Sequence, residues 1–310
     1  MKKIYILATI CLIASFVFFG NLNVVSAPAP IFHEKSILDN HPSKVELSEV
    51  ENIVEPALKN NEAIDLSAQS YLIIDRDTFT PILQKNSSAK LPIASITKLM
   101  TAVVALENGK LDDMVEIKKT YSNTPTPQMG LFLTEKISLE NILNGLLIAS
   151  DNDAGEVIAE YIGKGDYKAF VQKMNDKAAE IGMANTHFSN AIGLDNAENY
   201  STAWDLAYLA KEALKNSLIT DLVGTKERRV KSSDGKITHL LQATNELLDD
   251  KDIQVLGIKT GLTPEAGGCL ISLAKTKNGK EIISIVLGSG DRFGDTKKLI
   301  QWTERNIEWR

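Results

Sequence analysis

Ser95 and Lys98 stand three residues apart in Leu91-Pro92-Ile93-Ala94-Ser95-Ile96-Thr97-Lys98-Leu99-Met100-Thr101, which reads as the opening of a helix. Pro92 and Ala94 suit a helix start, and Ile96, Leu99, Met100 and Val103 recur at the spacing of one buried face. Asn108-Gly109 ends the pattern. Residues three apart share one side of a helix, so the Lys98 amine reaches the Ser95 hydroxyl. Both lie at the N-terminal end, where free N–H groups and the helix dipole favour developing negative charge. The chemistry this suits is nucleophilic catalysis, a serine activated by a neighbouring base.

A free lysine has a pKa of about 10.4 and is protonated at neutral pH. Bringing it near 8 takes roughly 2–3 units, or about 3–4 kcal/mol, from burial and nearby positive charge. The pattern therefore demands a desolvated site and a second cation. Ser-x-x-Lys also occurs at Ser87/Lys90, Ser233/Lys236 and Ser272/Lys275. These read as a polar turn, a turn beside Asp234-Gly235, and a strand on which i and i+3 face opposite sides. Only Ser95 opens an amphipathic helix.

Two further patterns occur once each, Ser150-x-Asn152 and Lys259-Thr260-Gly261. Alone, the first reads as a helix cap and the second as a strand end with a solvated lysine. Together with Ser95 they assemble a reaction. Ser95 attacks an acyl carbon and Lys98 accepts its proton. Ser150, at a break between helices, passes a proton to the leaving amine, while the Asn152 amide holds Lys98 and a substrate amide. Lys259, on an edge strand, is the second cation and draws an anionic substrate. Gly261 lets a substrate backbone lie close to the strand. The Ser95 and Leu262 N–H groups are the expected oxyanion donors.

The elements that must position these groups follow from the rest of the chain. Tyr71 to Ile74 and Ile82-Leu83 read as strands about an Asp75-Arg76-Asp77 turn. A short strand is expected near Val115 to Ile117, then a loop holding Pro125 and Pro127. Ser138 caps a helix through Ala149, Ser150-Asp151-Asn152 interrupts it, and a new helix runs from near Asp153 to Ile162. Helices follow over Asp166 to Ile181 and from Ser201-Thr202 to Leu214. Val255 to Gly261 is a strand, Cys269 to Lys275 and Glu281 to Leu287 form a hairpin across Asn278-Gly279, and Asp295 to Trp309 is a closing helix. Strands at both ends around a helical middle predict an α+β fold, an antiparallel sheet flanked by helices with a mainly helical subdomain.

The chain of 310 residues carries a net charge of −6, which argues against nucleic acid as a partner. Lys2-Lys3, an apolar run from Ile4 to Phe19 and small residues through Ala27 make residues 1–27 a signal peptide or N-terminal anchor, so the body is exported. Pro28 sits just past Ala27 and would hinder cutting there. Residues 28–65 are polar and read as a spacer, leaving 66–310 as the folded domain. Cys11 lies in the leader, so removing the leader leaves Cys269 as a single thiol, expected buried on its strand. The four histidines show no ligand spacing, so neither metal nor cofactor is assigned.

The three motifs, in this order, resemble the signature of class A β-lactamases and penicillin-binding proteins. From about Leu66 onward the chain resembles the low-molecular-mass penicillin-binding proteins of the D-alanyl-D-alanine carboxypeptidase family, serine peptidase family S11. The resemblance is carried by Ala94 to Thr101, Met183-Ala184-Asn185-Thr186-His187-Phe188, Gly193-Leu194-Asp195, Tyr200 to Leu206 and Gly257 to Thr263. It implies the β-lactamase/transpeptidase-like fold. It also implies removal of the terminal D-alanine from peptidoglycan stem peptides through an acyl-enzyme that penicillins and other β-lactams mimic. Lys259 and Thr260 would hold the substrate's terminal carboxylate. Arg292 falls where the family places another carboxylate-binding arginine, a solvated loop charge being the alternative.

Two features depart from the family's pattern. Trp309-Arg310 follow the closing helix where many members carry a β-rich domain and a C-terminal anchor, so membrane attachment is expected only through the N-terminal segment. Ala191-Ile192-Gly193-Leu194 also lacks the Pro-His often seen before Gly-Leu. The nearest rival enzyme, a class A β-lactamase, needs a deacylating glutamate after Ser150-Asp151-Asn152. Glu140-Asn141-Ile142-Leu143-Asn144 has the letters but precedes that motif. A D,D-endopeptidase would use the same constellation. A wall-binding or penicillin-sequestering protein is the non-enzymatic alternative.

Overall fold

A computed structural model describes residues 54–121 and 123–310. The expected leader at 1–27, Cys11 and the first part of the expected spacer lie outside the described residues. Among the described residues no helix is long and apolar enough to cross a membrane.

The described chain begins with β1 (Pro56–Leu58), then β2 (Ser70–Asp75) and β3 (Pro81–Lys85). The Asp75 carboxylate accepts N–H bonds from Asp77 and Thr78, which closes the turn expected between those strands. β4 (Leu91–Pro92) leads through a 3₁₀ turn at Ala94–Ile96 into α1 (Thr97–Asn108). Residues Thr97 to Ala105 of α1 are all buried. A helix enclosed on every side becomes the hub of its layer. It packs against α3 (Asn152–Ile162), α4 (Tyr167–Glu180) and α5 (Ala203–Ala213). Between α1 and α3 lie β5 (Met114–Glu116), β6 (Lys136–Ser138), α2 (Leu139–Asn144) and a wide-wound π segment at Gly145–Ala149. β7 (Tyr200–Ser201) pairs with β4, which ties the helical layer to the chain entering α1.

After α5 come α6 (Ser217–Val223), β8 (Glu227–Lys231) and β9 (Thr238–Gln242). Then follow β10 (Gln254–Thr263), β11 (Gly267–Lys275), β12 (Glu281–Ser289), α7 (Arg292–Asn306) and β13 (Ile307–Trp309). The main sheet has five strands in the order β10-β11-β12-β2-β3, and every pairing is antiparallel. Side chains alternate between its faces. Leu72, Ile74, Ile271, Ile283 and Ile285 join the core shared with α1 and α5. Tyr71, Ile73, Leu270, Ile282 and Val286 turn to Leu299 and Ile300 of α7. With both faces covered, the inner strands β11, β12 and β2 are buried along almost their whole length. The fold is α+β, as expected, and β10 is an edge strand facing the helical layer.

Three expectations need correction. The folded part begins before residue 66: β1 pairs with β13, the Trp302 indole donates to the Glu62 carbonyl at 2.7 Å, and Asn306 Oδ1 accepts the Glu62 N–H. The closing helix starts at Arg292 and stops at Asn306, and Ile307–Trp309 is that strand partner. The helix from Ser138 to Ala149 is α2 followed by the π segment, a local form frequent at functional sites. The sequence pattern marks neither the β8–β9 hairpin nor α6. Glu227-Arg228-Arg229-Val230-Lys231 buries Val230 alone, too few inward residues for a strand signal.

Candidate active site

Ser95 sits in the 3₁₀ turn ahead of α1, one residue before the Ile96 N-cap, and not in the α-helix proper. The preceding Ala94 holds φ at +48°, a strained value for a side-chain-bearing residue. Glycines pin this corner on both sides. A Cβ on Gly193 would come within 1.9 Å of the Ala94 carbonyl oxygen, and one on Gly261 within 3.1 Å of the Ser95 nitrogen. Only residues without a side chain let the 193 loop and the edge strand close on the serine.

Lys98 lies one turn further on and is fully buried. Its Nζ is 2.8 Å from Ser95 Oγ and 2.8 Å from the Ile192 carbonyl oxygen. Burial, and then the charge of Lys259, hold its pKa well below the ordinary lysine value. Asp151 and Glu156 oppose that shift.

Ser150 stands at the break between the π segment and α3, with left-handed backbone (φ 62°). That turn reverses the chain and lets its hydroxyl meet Lys259, whose Nζ donates to Ser150 Oγ at 2.7 Å and to the Thr260 carbonyl at 3.0 Å. Lys259 is only 1% exposed. Burial brings its pKa down to about 7, with Arg292 lowering it and Asp151 opposing. Two amines from distant parts of the chain, each on a serine hydroxyl, thus share one buried locus.

Asn152 departs from its expected partner. Its side-chain amide donates to the Pro125 carbonyl at 2.8 Å and its backbone N–H to that of Pro127, so it grips the loop holding these two prolines, and no hydrogen bond joins it to Lys98. The acceptor facing Lys98 is the Ile192 carbonyl instead. As the first residue of α3, Asn152 needs a backbone acceptor nearby, and the proline loop supplies one. Its neighbour Asp153, which the motif reading left out, accepts the N–H groups of Met129, Gly130 and Leu131. The middle residue, Asp151, is 3% exposed with one oxygen lacking a partner, and burial raises it to about 7.

Thr260 is buried, its hydroxyl 2.6 Å from that of Thr244, a contact with no signal in the sequence. Leu262 is 62% exposed at the end of β10. Arg292 is half-buried at the start of α7, stacked on Phe293 with 4.5 Å from guanidinium carbon to ring centroid, and its Nε is buried without a partner. It lies close enough to bear on Lys259 electrostatically, so it is not a remote loop charge. The other three Ser-x-x-Lys pairs stay apart from these groups. Ser87 donates to Gln84, Ser232 and Asp234 close the turn around Ser233, and Ser272 is buried within β11. Cys269 is fully buried, and burial raises its thiol to about 11. Glu140 is exposed on α2.

A five-stranded antiparallel sheet with a helical layer, whose serine sits just ahead of a buried helix and whose lysine lies in that helix's first turn beside the edge strand, is the β-lactamase/transpeptidase-like fold. The solved Streptomyces K15 DD-transpeptidase superposes with a TM-score of 0.73 at 32% identity, covering 78% of this chain and 99% of that one. Penicillin-binding protein D2 from Listeria monocytogenes, solved in its cefotaxime-bound form, gives 0.68 at 29% identity, covering 78% and 99%. The D-alanyl-D-alanine carboxypeptidase family model, peptidase S11, matches residues 57–291, and the chain belongs to that family. The D-alanyl-D-alanine carboxypeptidase DacF of Bacillus subtilis is 38% identical over 258 residues, which cover 81% of this chain and 65% of the relative. The chain therefore spans about two thirds of that relative's length.

Proposed function

We propose that this chain is a serine-type D-Ala-D-Ala carboxypeptidase that trims peptidoglycan stem peptides and is acylated at Ser95 by β-lactams. The observation that carries the reading is the pair of lysine–serine contacts, Lys98 on Ser95 and Lys259 on Ser150, each at 2.8 Å or less with both amines buried. Ser95 Oγ attacks the carbonyl of the penultimate D-alanine as Lys98 takes its proton. The Ser95 and Leu262 N–H groups hold the oxyanion. Ser150, its oxygen held by the Lys259 N–H, passes a proton to the departing D-alanine amine and takes in its place the one Lys98 had accepted from Ser95, so Lys98 is neutral again. Water then enters, with Lys98 again as base, and frees Ser95. A penicillin follows the same first step, but its leaving amine stays tethered through the opened ring and obstructs the water. Lys259, Thr260 and Arg292 hold the carboxylate, with Gly261 giving the substrate backbone access to β10. Asn152 fixes the proline loop and keeps its amide oxygen for a substrate N–H.

Peptidoglycan lies outside the cytoplasm, so residues 1–27 act as the export signal or anchor in this reading. The decisive assay is release of D-alanine from a pentapeptide ending in D-Ala-D-Ala. Release by the wild type, abolished together with fluorescent-penicillin labelling in Ser95→Ala, is expected. Rapid turnover of the penicillin adduct with no D-alanine release would indicate a β-lactamase, and the absence of any adduct a binding protein.

A further inference from the structure

Lys98 can act as a base only if its lone pair faces Ser95. A neutral amine has two N–H groups and one lone pair, and rotation about its terminal bond can aim any of the three at the serine. The Ile192 carbonyl, 2.8 Å from Nζ, takes one N–H and so excludes the rotation that would turn the lone pair away to it. What holds that carbonyl in place therefore matters to the reaction.

The segment Asn190–Gly193 has no strand or helix of its own, and side chains define it. Asn190 Oδ1 accepts the N–H groups of Ile192, Gly193 and Leu194, at 3.2, 2.6 and 3.1 Å. The Gly193 N–H belongs to the same peptide plane as the Ile192 carbonyl, so this bond orients the carbonyl from behind. Thr101, one turn past Lys98 in α1, donates to the Ala191 carbonyl at 2.6 Å. From the other side, the Ala191 N–H donates to the Tyr167 hydroxyl at 2.9 Å, and Tyr167 donates to Glu156 Oε1 at 3.2 Å. Tyr167 opens α4 and Glu156 lies on α3, the helix that begins at Asn152.

We infer that Tyr167 and Glu156 are positioning residues of the acyl-transfer site: they tether the Ala191 N–H so that the Ile192 carbonyl stays on Lys98 and keeps its lone pair available to Ser95. The inference rests on the proposed role of Ser95 and Lys98. A bond from a phenol, itself fixed by a carboxylate, suits this task because the hydroxyl must accept from Ala191 and so needs a firm acceptor for its own proton. Burial, and then the Glu156 charge, push the Tyr167 phenol up, so it keeps that proton. Glu156 has a second influence. Its charge faces Lys98, Lys119, Glu160 and Tyr167, and when ionised it raises Lys98 against the downward pull of Lys259, as Asp151 also does. The tether thus fixes both the direction and the basicity of the amine.

The test is the acylation rate by a fluorescent penicillin, normalised to the fraction of protein that labels at completion, across pH. Tyr167→Phe, which removes one oxygen, is expected to slow acylation about tenfold with little change in the concentration giving half-maximal rate. Glu156→Leu, which removes the acceptor, is expected to slow it similarly. Glu156→Gln keeps an acceptor for the phenol and removes the charge. It should recover most of the loss seen with Leu and move the acid limb of the profile to lower pH. Wild-type rates in Tyr167→Phe would overturn the inference. So would equal losses in Glu156→Leu and Glu156→Gln with an unmoved limb, since packing alone would produce that. A wild-type protein that fails to label at Ser95 would instead remove the functional reading beneath it.

Discussion

Lys259 donates to Ser150 at 2.7 Å, a buried contact between residues 109 positions apart in the chain. It joins the edge strand to the break before α3 and sets a cation beside the hydroxyl that faces the leaving group. The same cation lowers Lys98, so one side chain bears on both ends of the proposed proton path.

Lys259→Ala should therefore do more than weaken anion binding. Leaving a buried polar partner exposed to nothing costs about 2–5 kcal/mol, so acylation by penicillins with a free carboxylate should fall about 30-fold or more. Stopped-flow acylation with carboxyl-esterified analogues should show a smaller loss. Equal losses on both ligands would contradict the anchoring role.

The pH profile should be bell-shaped. Lys98 must be neutral to accept a proton, so activity rises as pH climbs through its depressed pKa. Lys259 must be charged to hold a carboxylate, so activity falls as pH climbs through about 7. The profile of kcat/KM reports the free protein. Measured on an esterified ligand, the descending limb should flatten. An unchanged descending limb would assign it to another group.

Gly193→Ala should disable the site. The backbone there has φ +84° and the new methyl would meet the Ala94 carbonyl at 1.9 Å. Positive φ alone costs roughly 1–2 kcal/mol for an alanine, and the collision displaces the residue before Ser95. Thermal unfolding should drop by several degrees, and the fraction that still folds should label slowly. A folded protein that labels at the wild-type rate would show that the corner tolerates displacement.

Truncation to residue 66, the boundary expected from composition, should destabilise the domain relative to a chain starting at residue 54. It removes β1, the partner of β13, and the Glu62 carbonyl that accepts from Trp302. Net hydrogen bonds contribute about 0.5–1.5 kcal/mol each, so a loss of roughly 2–4 kcal/mol is expected in urea unfolding. Equal midpoints for the two chains would show that this segment adds nothing.

The sequence by itself determined whatever depends on short separations and on side-chain type. Ser95 and Lys98 are brought together by one turn of the chain, and the β11–β12 hairpin turns at Asn278-Gly279. The three motifs in order pointed to β-lactamases and penicillin-binding proteins, and the stretches Met183 to Phe188, Gly193 to Asp195 and Tyr200 to Leu206 narrowed that to the carboxypeptidase family. Tertiary structure alone decided which backbone groups complete the site. Any residue supplies a carbonyl, so nothing in the letters marks Ile192 as the acceptor for Lys98 or Pro125 as the partner of Asn152. The place of residues 56–62 was hidden for a related reason. Their partners lie 240 or more positions away, and a strand of three residues paired at such a distance has no local pattern of its own.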